Sequence, residues 1–383
     1  MSWALRPVSG VIMSIAASSG TSPASKTHTR TPPGNRPLRA GVVGVGRMGR
    51  HHARVYAQLE QTQLVGVVDH NPERAEAIAE QYGCKAMFSV QQLIEAGVDV
   101  VSIATPTSFH LPTAEALLSA GVACLVEKPL AGDATEALRI KETAERNGAV
   151  LMVGHIERFN PILRALKKEQ ENGQPIFPRF MEVHRVSPMT FRSVDTSVVM
   201  DMMIHDLDVI IMLMGGREPD EVHASGVPVI TEHEDICNAR LVWRREDGVC
   251  VANVTASRLA LKTERVTRIT GENAYVKIDY AAKAGTIIRR LANEAQMIEV
   301  RNQLRQGADL SNMNWHELVN IEELQVDEGE PIVLEIKSFI QAVQSGTQPE
   351  IDATAGLANV RTAERIIEAA RKERLGGSGR KTV

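Results

Sequence analysis

The sequence predicts a two-part protein: an α/β half built on a doubly wound parallel sheet, then an α+β half dominated by antiparallel strands. Three observations carry this expectation. Short β-branched runs alternate with helical segments from residue 38 to about 155. A glycine triplet joins the first run to the first helix, and beyond residue 176 the period changes to that of alternating strands. A length of 383 residues also exceeds what one hydrophobic core usually supports.

Each element is legible in turn. "RAGVVGVG" at 39–46 is a β-branched run entering glycines, and "RMGRHHARVYAQLE" continues at helical spacing. "QLVGVVD" reads as the next strand, and "NPERAEAIAEQYG" as a helix with Asn71 and Pro72 at its start and Gly83 past its end. "SVQQLIEAG" opens with Ser89 and Gln92 at capping-box spacing, and "DVVSIAT" is a further buried strand. "LPTAEALLSAG", "VACLVEKP", "ATEALRIKETAERNG" and "AVLMVGH" carry the alternation onward. Helices separating near-continuous apolar strands imply a parallel sheet covered on both faces. The strands of the second half are "FPRFMEVHRVS", "EVHASGVPVI", "CNARLVWRR", "GVCVANVTASRL" and "RVTRITGENAYVKID", with "REDG" and "TGEN" as turns. A polar stretch from about 303 to 318 reads as a loop or lid. "IVLEIKSFIQAVQSG" and "TAGLANVRTAERIIEAARKER" read as closing helices.

Composition bounds the partners. A formal net charge of -4 and a pI near 6.3 give no electrostatic reason for nucleic-acid or anionic-membrane binding, which leaves small molecules and copies of the chain itself. No stretch reaches the roughly 18 apolar residues of a membrane span. Residues 1–37 are rich in Ser, Thr, Pro and Gly, which reads as a disordered tail; "VSGVIMSIAASSG" only weakly imitates a signal peptide, and a cytoplasmic protein is expected. Cys84, Cys124, Cys237 and Cys250 form no CxxC pair, so reduced thiols are expected rather than disulfides or a zinc site. The expected organisation is a tail at 1–37, a cofactor domain at 38–158, an α+β substrate and oligomerisation domain at 159–375, and a flexible end at 376–383.

"GVGRMG" places Gly44, Gly46 and Gly49 as GxGxxG, with Arg47 and Met48 between the last two glycines. The triplet follows a strand, opens a helix and precedes Asp69 at the end of the next strand, which is the dinucleotide-binding context. The glycines let backbone approach a pyrophosphate, and the helix N-terminus supplies free N–H groups. Asp69 would accept from ribose hydroxyls and repel a 2′-phosphate, which favours NAD; His70 and Arg74 nearby leave NADP open. "TPTSFH" puts Thr105 and Thr107 in a turn at the carboxyl edge of the sheet, where ligands bind, with His110 either a helix-start residue or a cofactor neighbour. The strand before "EKP" brings Glu127 and Lys128 to the same edge, with Pro129 restraining Lys128 to extended geometry. A Lys so placed can hydrogen-bond a substrate hydroxyl and stabilise the developing alkoxide.

With these motifs the chain resembles the glucose-fructose oxidoreductase/inositol dehydrogenase/MocA superfamily of nicotinamide-dependent sugar oxidoreductases, from residue 38 to the C-terminus. The resemblance implies a Rossmann domain, then an α+β domain with a large, mostly antiparallel sheet that often builds the interface of a homodimer or homotetramer. It also implies that Lys128 is catalytic or orients substrate, and that the "RFNP" segment, with Arg158 and Asn160, lies beside the active site.

The segment "VVMDMMIHDLDVIIMLMGG" at 198–216 reads as one buried helix that nonetheless carries Asp201, His205, Asp206 and Asp208. At about 100° per residue, Asp201, His205 and Asp208 share a stripe and Asp206 is turned away, without a role. Asp and His at this spacing match no metal motif, so no metal is expected. His205 suits removal of a hydroxyl proton, with Asp201 one turn earlier holding the ring or stabilising imidazolium. The resemblance gives this D-x3-H pair the same service alongside the Lys of "EKP", and matches Asp208 to a frequent acidic position. Within the superfamily, "EVHRVSPMTFRSVDTSVVMDMMIHDLD" resembles the branch that oxidises the 3-hydroxyl of UDP-N-acetylglucosamine for a 3-amino sugar of lipid A-type glycolipids. Arg185 and Arg192 precede the helix as candidate diphosphate ligands. A dehydrogenase of a free sugar or inositol, and a cofactor-binding regulator without chemistry, are the alternatives.

Overall fold

The computed structural model describes residues 36–172, 175–191, 194–309 and 313–377. The expected tail thus lies, but for its last two residues, outside the described residues, as do Arg192 and nearly all of the flexible end.

The first half is a parallel sheet, as the alternation requires. Its elements are β1 (Leu38–Val43), α1 (Gly49–Gln58), β2 (Thr62–Val68), α2 (Pro72–Tyr82), β3 (Lys85–Met87), α3 (Val90–Glu95), β4 (Val100–Ile103), α4 (His110–Ser119), β5 (Ala123–Glu127), α5 (Ala134–Asn147) and β6 (Leu151–Gly154). The strand order is β3-β2-β1-β4-β5-β6. The order reverses between β1 and β4, so the carboxyl ends of these strands open a crevice suited to a ligand. Local chemistry sets the helix ends: Asn71 accepts the Arg74 N–H at the start of α2, and Gly83 closes it at φ 65°. The short β3 went unread because three residues carry too little period to register.

The second half comprises α6 (Pro161–Glu171), β7 (Pro178–Val186), a π turn at Val199–Met203, α7 (Ile204–Leu213), β8 (Glu221–Val227), β9 (Ile236–Arg245), β10 (Gly248–Ser257), β11 (Glu264–Gly271), β12 (Ala274–Asp279), β13 (Ala284–Arg290), α8 (Glu294–Arg305), β14 (Val319–Glu323), α9 (Pro331–Ser345) and α10 (Ala353–Gly377). Its eight strands run β14-β13-β12-β11-β7-β10-β9-β8, antiparallel except for the β7–β10 pair. β13 and β14 add two strands that alternation did not single out. The polar stretch expected as a loop from 303 begins inside α8, which an Asn293–Gln296 capping box starts upstream.

The chain then returns to the first half. α9 packs on α1, and α10 packs against α5, α7 and β8, while Val153 N–H donates to Ile351 O beside β6. These contacts hold the carboxyl edge of the parallel sheet next to α7. The four cysteines are free thiols, and among the described residues no helix is long and apolar enough to cross a membrane.

Candidate active site

The glycine loop separates what the chain needs for itself from what it leaves open. Gly44 has φ +83°, and a Cβ there would sit 2.8 Å from Ala104 O; at Gly49 it would sit 1.7 Å from Gly44 O. Both positions are glycine for internal packing. A Cβ on Gly46 would meet nothing within 4 Å, so nothing in the chain excludes a side chain there. That clear space adjoins the N-terminus of α1, where half-buried Met48 gives no side-chain cap and no acid occupies the first turn. A clear, uncapped helix start fits a pyrophosphate. Exposed Arg47 makes no ion pair among the described residues and acts electrostatically on Lys128.

Asp69 is buried at the end of β2, and one carboxylate oxygen accepts the Val45 N–H at 2.9 Å, bracing the glycine loop. Its other oxygen accepts from Asn71 N–H at 3.0 Å, with His70 at 3.2 Å and Arg74 at 3.5 Å. Beyond β4, Thr105 keeps a buried hydroxyl without a hydrogen-bond partner, and Thr107 begins a short 3-10 turn. The His110 ring is buried, with Nδ1 2.9 Å from Pro129 O and Nε2 3.0 Å from Thr105 O, so it ties two edge loops together. Burial lowers its pKa, and a neutral ring donates to one of those carbonyls.

Glu127 and Lys128 leave β5 on opposite faces, as neighbours on a strand must. Glu127 turns away from the expected cofactor space: it is buried and accepts from His52 Nε2 at 2.9 Å. Burial alone would push its pKa up, but the hydrogen bond from His52 and the Lys128 charge hold it below the ordinary value. Lys128, followed by a cis peptide to Pro129, points to the second half. Its ammonium donates to Asp201 O at 2.8 Å and lies 3.7 Å from the Asp201 carboxylate. Burial pulls the Lys128 pKa down against the pull of Asp201 and Glu127.

The buried helix is not one regular α-helix. Asp201 lies in the π turn and His205 in the first turn of α7, so the ideal wheel does not apply across them. His205 is half-buried, and its Nδ1 is sealed from solvent with no partner. Burial first, then the charges of Lys128 and Arg185, hold its pKa well below the ordinary value, so the ring is neutral.

Asp206 and Asp208 are buried and already satisfied. Arg185 Nε and Nη2 donate to the two Asp206 oxygens at 2.7 and 2.9 Å, while Nη1 donates to Glu157 at 3.0 Å. Burial works against that cation, yet Asp206 and Glu157 hold the Arg185 pKa above its ordinary value. Arg158 forms the same fork with Asp208, at 2.7 and 2.6 Å. Arg185, Arg158 and Asp208, expected as substrate contacts, thus have these polar atoms paired within the protein. Asn160 likewise caps α6 through Ile162 N–H and donates to Glu157 and Tyr280 O.

His155, which the sequence offers with Arg158 and Asn160 as a junction cap or a ligand contact, is buried after β6 beside Asp208, and its Nδ1 lacks a partner among the described residues. Sequence reasoning missed two further neighbours. Asn359 arrives from α10, more than 150 residues away in sequence, and donates to Ile204 O at 3.0 Å. Arg265 is exposed on β11, opposite Arg185 in register, has no ion pair among the described residues, and acts on His205. A separate cavity of about 550 Å³, lined in part by Met200, His233, Glu364 and Arg371, includes none of the expected site residues.

Residues 38–155 match the oxidoreductase family with an NAD-binding Rossmann fold, and residues 177–277 match the GFO/IDH/MocA C-terminal domain. A UDP-N-acetylglucosamine 3-dehydrogenase from Acidithiobacillus ferrooxidans is 41% identical over 243 residues, 63% of this chain and 74% of that protein. Its solved structure aligns with a TM-score of 0.76 at 34% identity, covering 88% of this chain and 98% of that one. An inositol 2-dehydrogenase from Rhizobium meliloti is 33% identical over 202 residues, 50% of this chain and 59% of that protein. The chain belongs to the GFO/IDH/MocA oxidoreductase family. Its Rossmann half is of the NAD-binding type, and it is a dehydrogenase acting on CH–OH groups of small molecules.

Proposed function

We propose that this dehydrogenase uses NAD to oxidise the 3-hydroxyl of UDP-N-acetylglucosamine to the 3-keto sugar, which a transaminase then converts for a lipid A-type amino sugar. The observation that carries the reading is His205: neutral, half-open and unpartnered at Nδ1, in the field of Lys128, whose ammonium contacts Asp201. The identity to the Acidithiobacillus enzyme supports the choice of substrate.

NAD, when bound, accepts the hydride. The clear space at Gly46, the uncapped start of α1 and the orphan Thr105 hydroxyl suit that group, with Arg47, Met48 and Thr107 lining the same edge. Asp69 is the ribose ligand, and its negative charge opposes a 2′-phosphate, which favours NAD over NADP. Lys128 donates a hydrogen bond to the substrate oxygen and stabilises the alkoxide as it forms. His205 takes the hydroxyl proton, and Asp201 steadies Lys128 while adding negative charge near the resulting imidazolium. With Arg185 committed to Asp206, Arg265 is the cation available for the diphosphate.

The enzyme acts in the cytoplasm as a dimer or tetramer through the open face of its eight-stranded sheet, where Val227 and Val249 are exposed. The test offers purified protein with NAD either UDP-N-acetylglucosamine or myo-inositol and identifies the product by mass spectrometry. A 3-keto nucleotide sugar is expected. Oxidation of inositol with no nucleotide-sugar product overturns the assignment in favour of the reading the Rhizobium relative supports.

A further inference from the structure

Behind Lys128, on the other face of β5, lies a buried network that the reaction does not use. Glu127 accepts from His52 Nε2 at 2.9 Å; Ser102 Oγ lies 3.0 Å from His52 Nδ1 and 2.8 Å from the Tyr56 hydroxyl. An ionised carboxylate can only accept, so His52 Nε2 carries the hydrogen. Nδ1 then accepts from Ser102, and Ser102 accepts from Tyr56.

Glu335, on α9, meets this network from the opposite side. It is 0% exposed, and among the described residues neither carboxyl oxygen has a hydrogen-bond partner. Ligand atoms of Glu335, Glu127 and His52 lie within 4.8 Å of one another. Two carboxylates that close, sealed from water, do not both ionise. Among the described residues, α1 brings His52 and Tyr56, β4 brings Ser102 and β5 brings Glu127 and Cys124, while the 3-10 turn at 156–159 that also packs on α9 carries Glu157, paired with Arg185, and Arg158, paired with Asp208. The Arg54–Glu330 pair at the start of α9 is partly exposed, and Lys128 faces the other way.

We propose that Glu335 is a positioning residue for Lys128: a neutral acid packed against Glu127, it keeps Glu127 the single carboxylate behind the strand end that presents the ammonium. Burial first, and the Glu127 charge second, push the Glu335 pKa well above the ordinary carboxylate range. Glu127 in turn raises the Lys128 pKa against the effect of burial. The inference rests on the reading of Lys128 as the substrate-hydroxyl ligand. His, Glu and Glu are also ligand types for a divalent cation, so the test must separate a proton from a metal.

The experiment compares wild type, E335Q and E335A in three readouts: melting temperature from pH 5 to 8, the pH dependence of kcat, and metal content of the purified protein. In the unfolded chain Glu335 ionises near 4.5 and in the folded one its pKa is raised, so the contribution of this one group to wild-type stability falls as pH rises through this window. Glutamine has no such loss. The melting-temperature advantage of E335Q over wild type is therefore expected to grow from pH 5 to 8. E335A admits water that screens Glu127, and its Lys128 limb of kcat is expected to move to lower pH by about half a unit or more; E335Q is expected to restore the wild-type limb.

Three results overturn the proposal: an E335Q advantage that does not grow with pH, an E335A enzyme that is less stable but keeps the wild-type pH limb, or a stoichiometric divalent metal lost in E335Q. An active K128A enzyme overturns the link to catalysis by removing the reading it rests on. That outcome is distinguishable, because it leaves the growth of the E335Q advantage intact.

Discussion

Two pairs of polar residues on one helical segment have opposite fates. Asp201 and His205 are partly exposed and keep polar atoms available, whereas Asp206 and Asp208 are buried and each is gripped by an arginine fork. The types are similar and the spacing is close. What differs is the tertiary partner: Arg185 comes from β7 and Arg158 from the turn after β6, while no described residue meets His205 Nδ1. A buried charge with a bidentate partner is satisfied within the fold, whereas the sealed His205 Nδ1 is left without one among the described residues.

The largest effect expected tests the closed pair. Arg185→Met leaves Asp206 buried without its fork, and removal of one member of a buried ion pair costs about 3–5 kcal/mol. Denaturant unfolding of R185M is expected to lose stability in that range. A variant as stable as wild type that instead loses substrate affinity would return Arg185 to the ligand class.

The open pair is tested through its neighbour. Lys128→Ala is expected to bind NAD with near wild-type affinity, measured by fluorescence titration, while kcat falls about 10²–10³-fold, the usual worth of a group that stabilises developing negative charge. Unchanged turnover would remove Lys128 from the mechanism. A smaller change is expected at the cofactor end: Asp69→Ser loses hydrogen bonds of about 1.5–3 kcal/mol from a charged acceptor. Its kcat/KM with NAD should fall about 10- to 100-fold, with less or no loss for NADP.

The smallest effect expected is on pH and stability. His110, His155 and His205 all have folded pKa values below the ordinary one, chiefly because burial penalises the charged ring. The unfolded chain takes up these protons near 6.5 while the folded one resists, so their contribution is complete above that pH and is lost as pH falls below it. Thermal melts of E335Q, which lacks the opposing Glu335 titration, should show a lower value at pH 5.5 than at pH 7. Equal values would mean that the rings are charged in the folded protein or titrate alike in both states.

The first half was legible because its signals are local. Glycines, caps and continuous apolar strands each determine their own few residues, and together they specify a parallel sheet. The candidate positions Gly46, Asp69 and Lys128 could be placed from sequence because the edge of that sheet determines where they lie. It was not legible where partners come from afar. A wheel assigned Asp208 to the open stripe and left Asp206 unexplained, because only the fold brings Arg158 and Arg185 to them and because a π turn interrupts the helix between Asp201 and His205. His52 and Glu335 escaped for the same reason: the contact spans α1, β5 and α9, and no spacing in the sequence encodes it.

In the proposed mechanism the open half of the segment performs the chemistry and the closed half holds it in place. His205→Asn tests it most directly, because asparagine keeps a polar group at the position but cannot take the proton. The kcat of H205N is expected to fall about 10²–10⁴-fold, with the melting temperature and NAD affinity kept. Turnover near wild type, or a loss of activity that merely follows a loss of folded protein, would contradict the account.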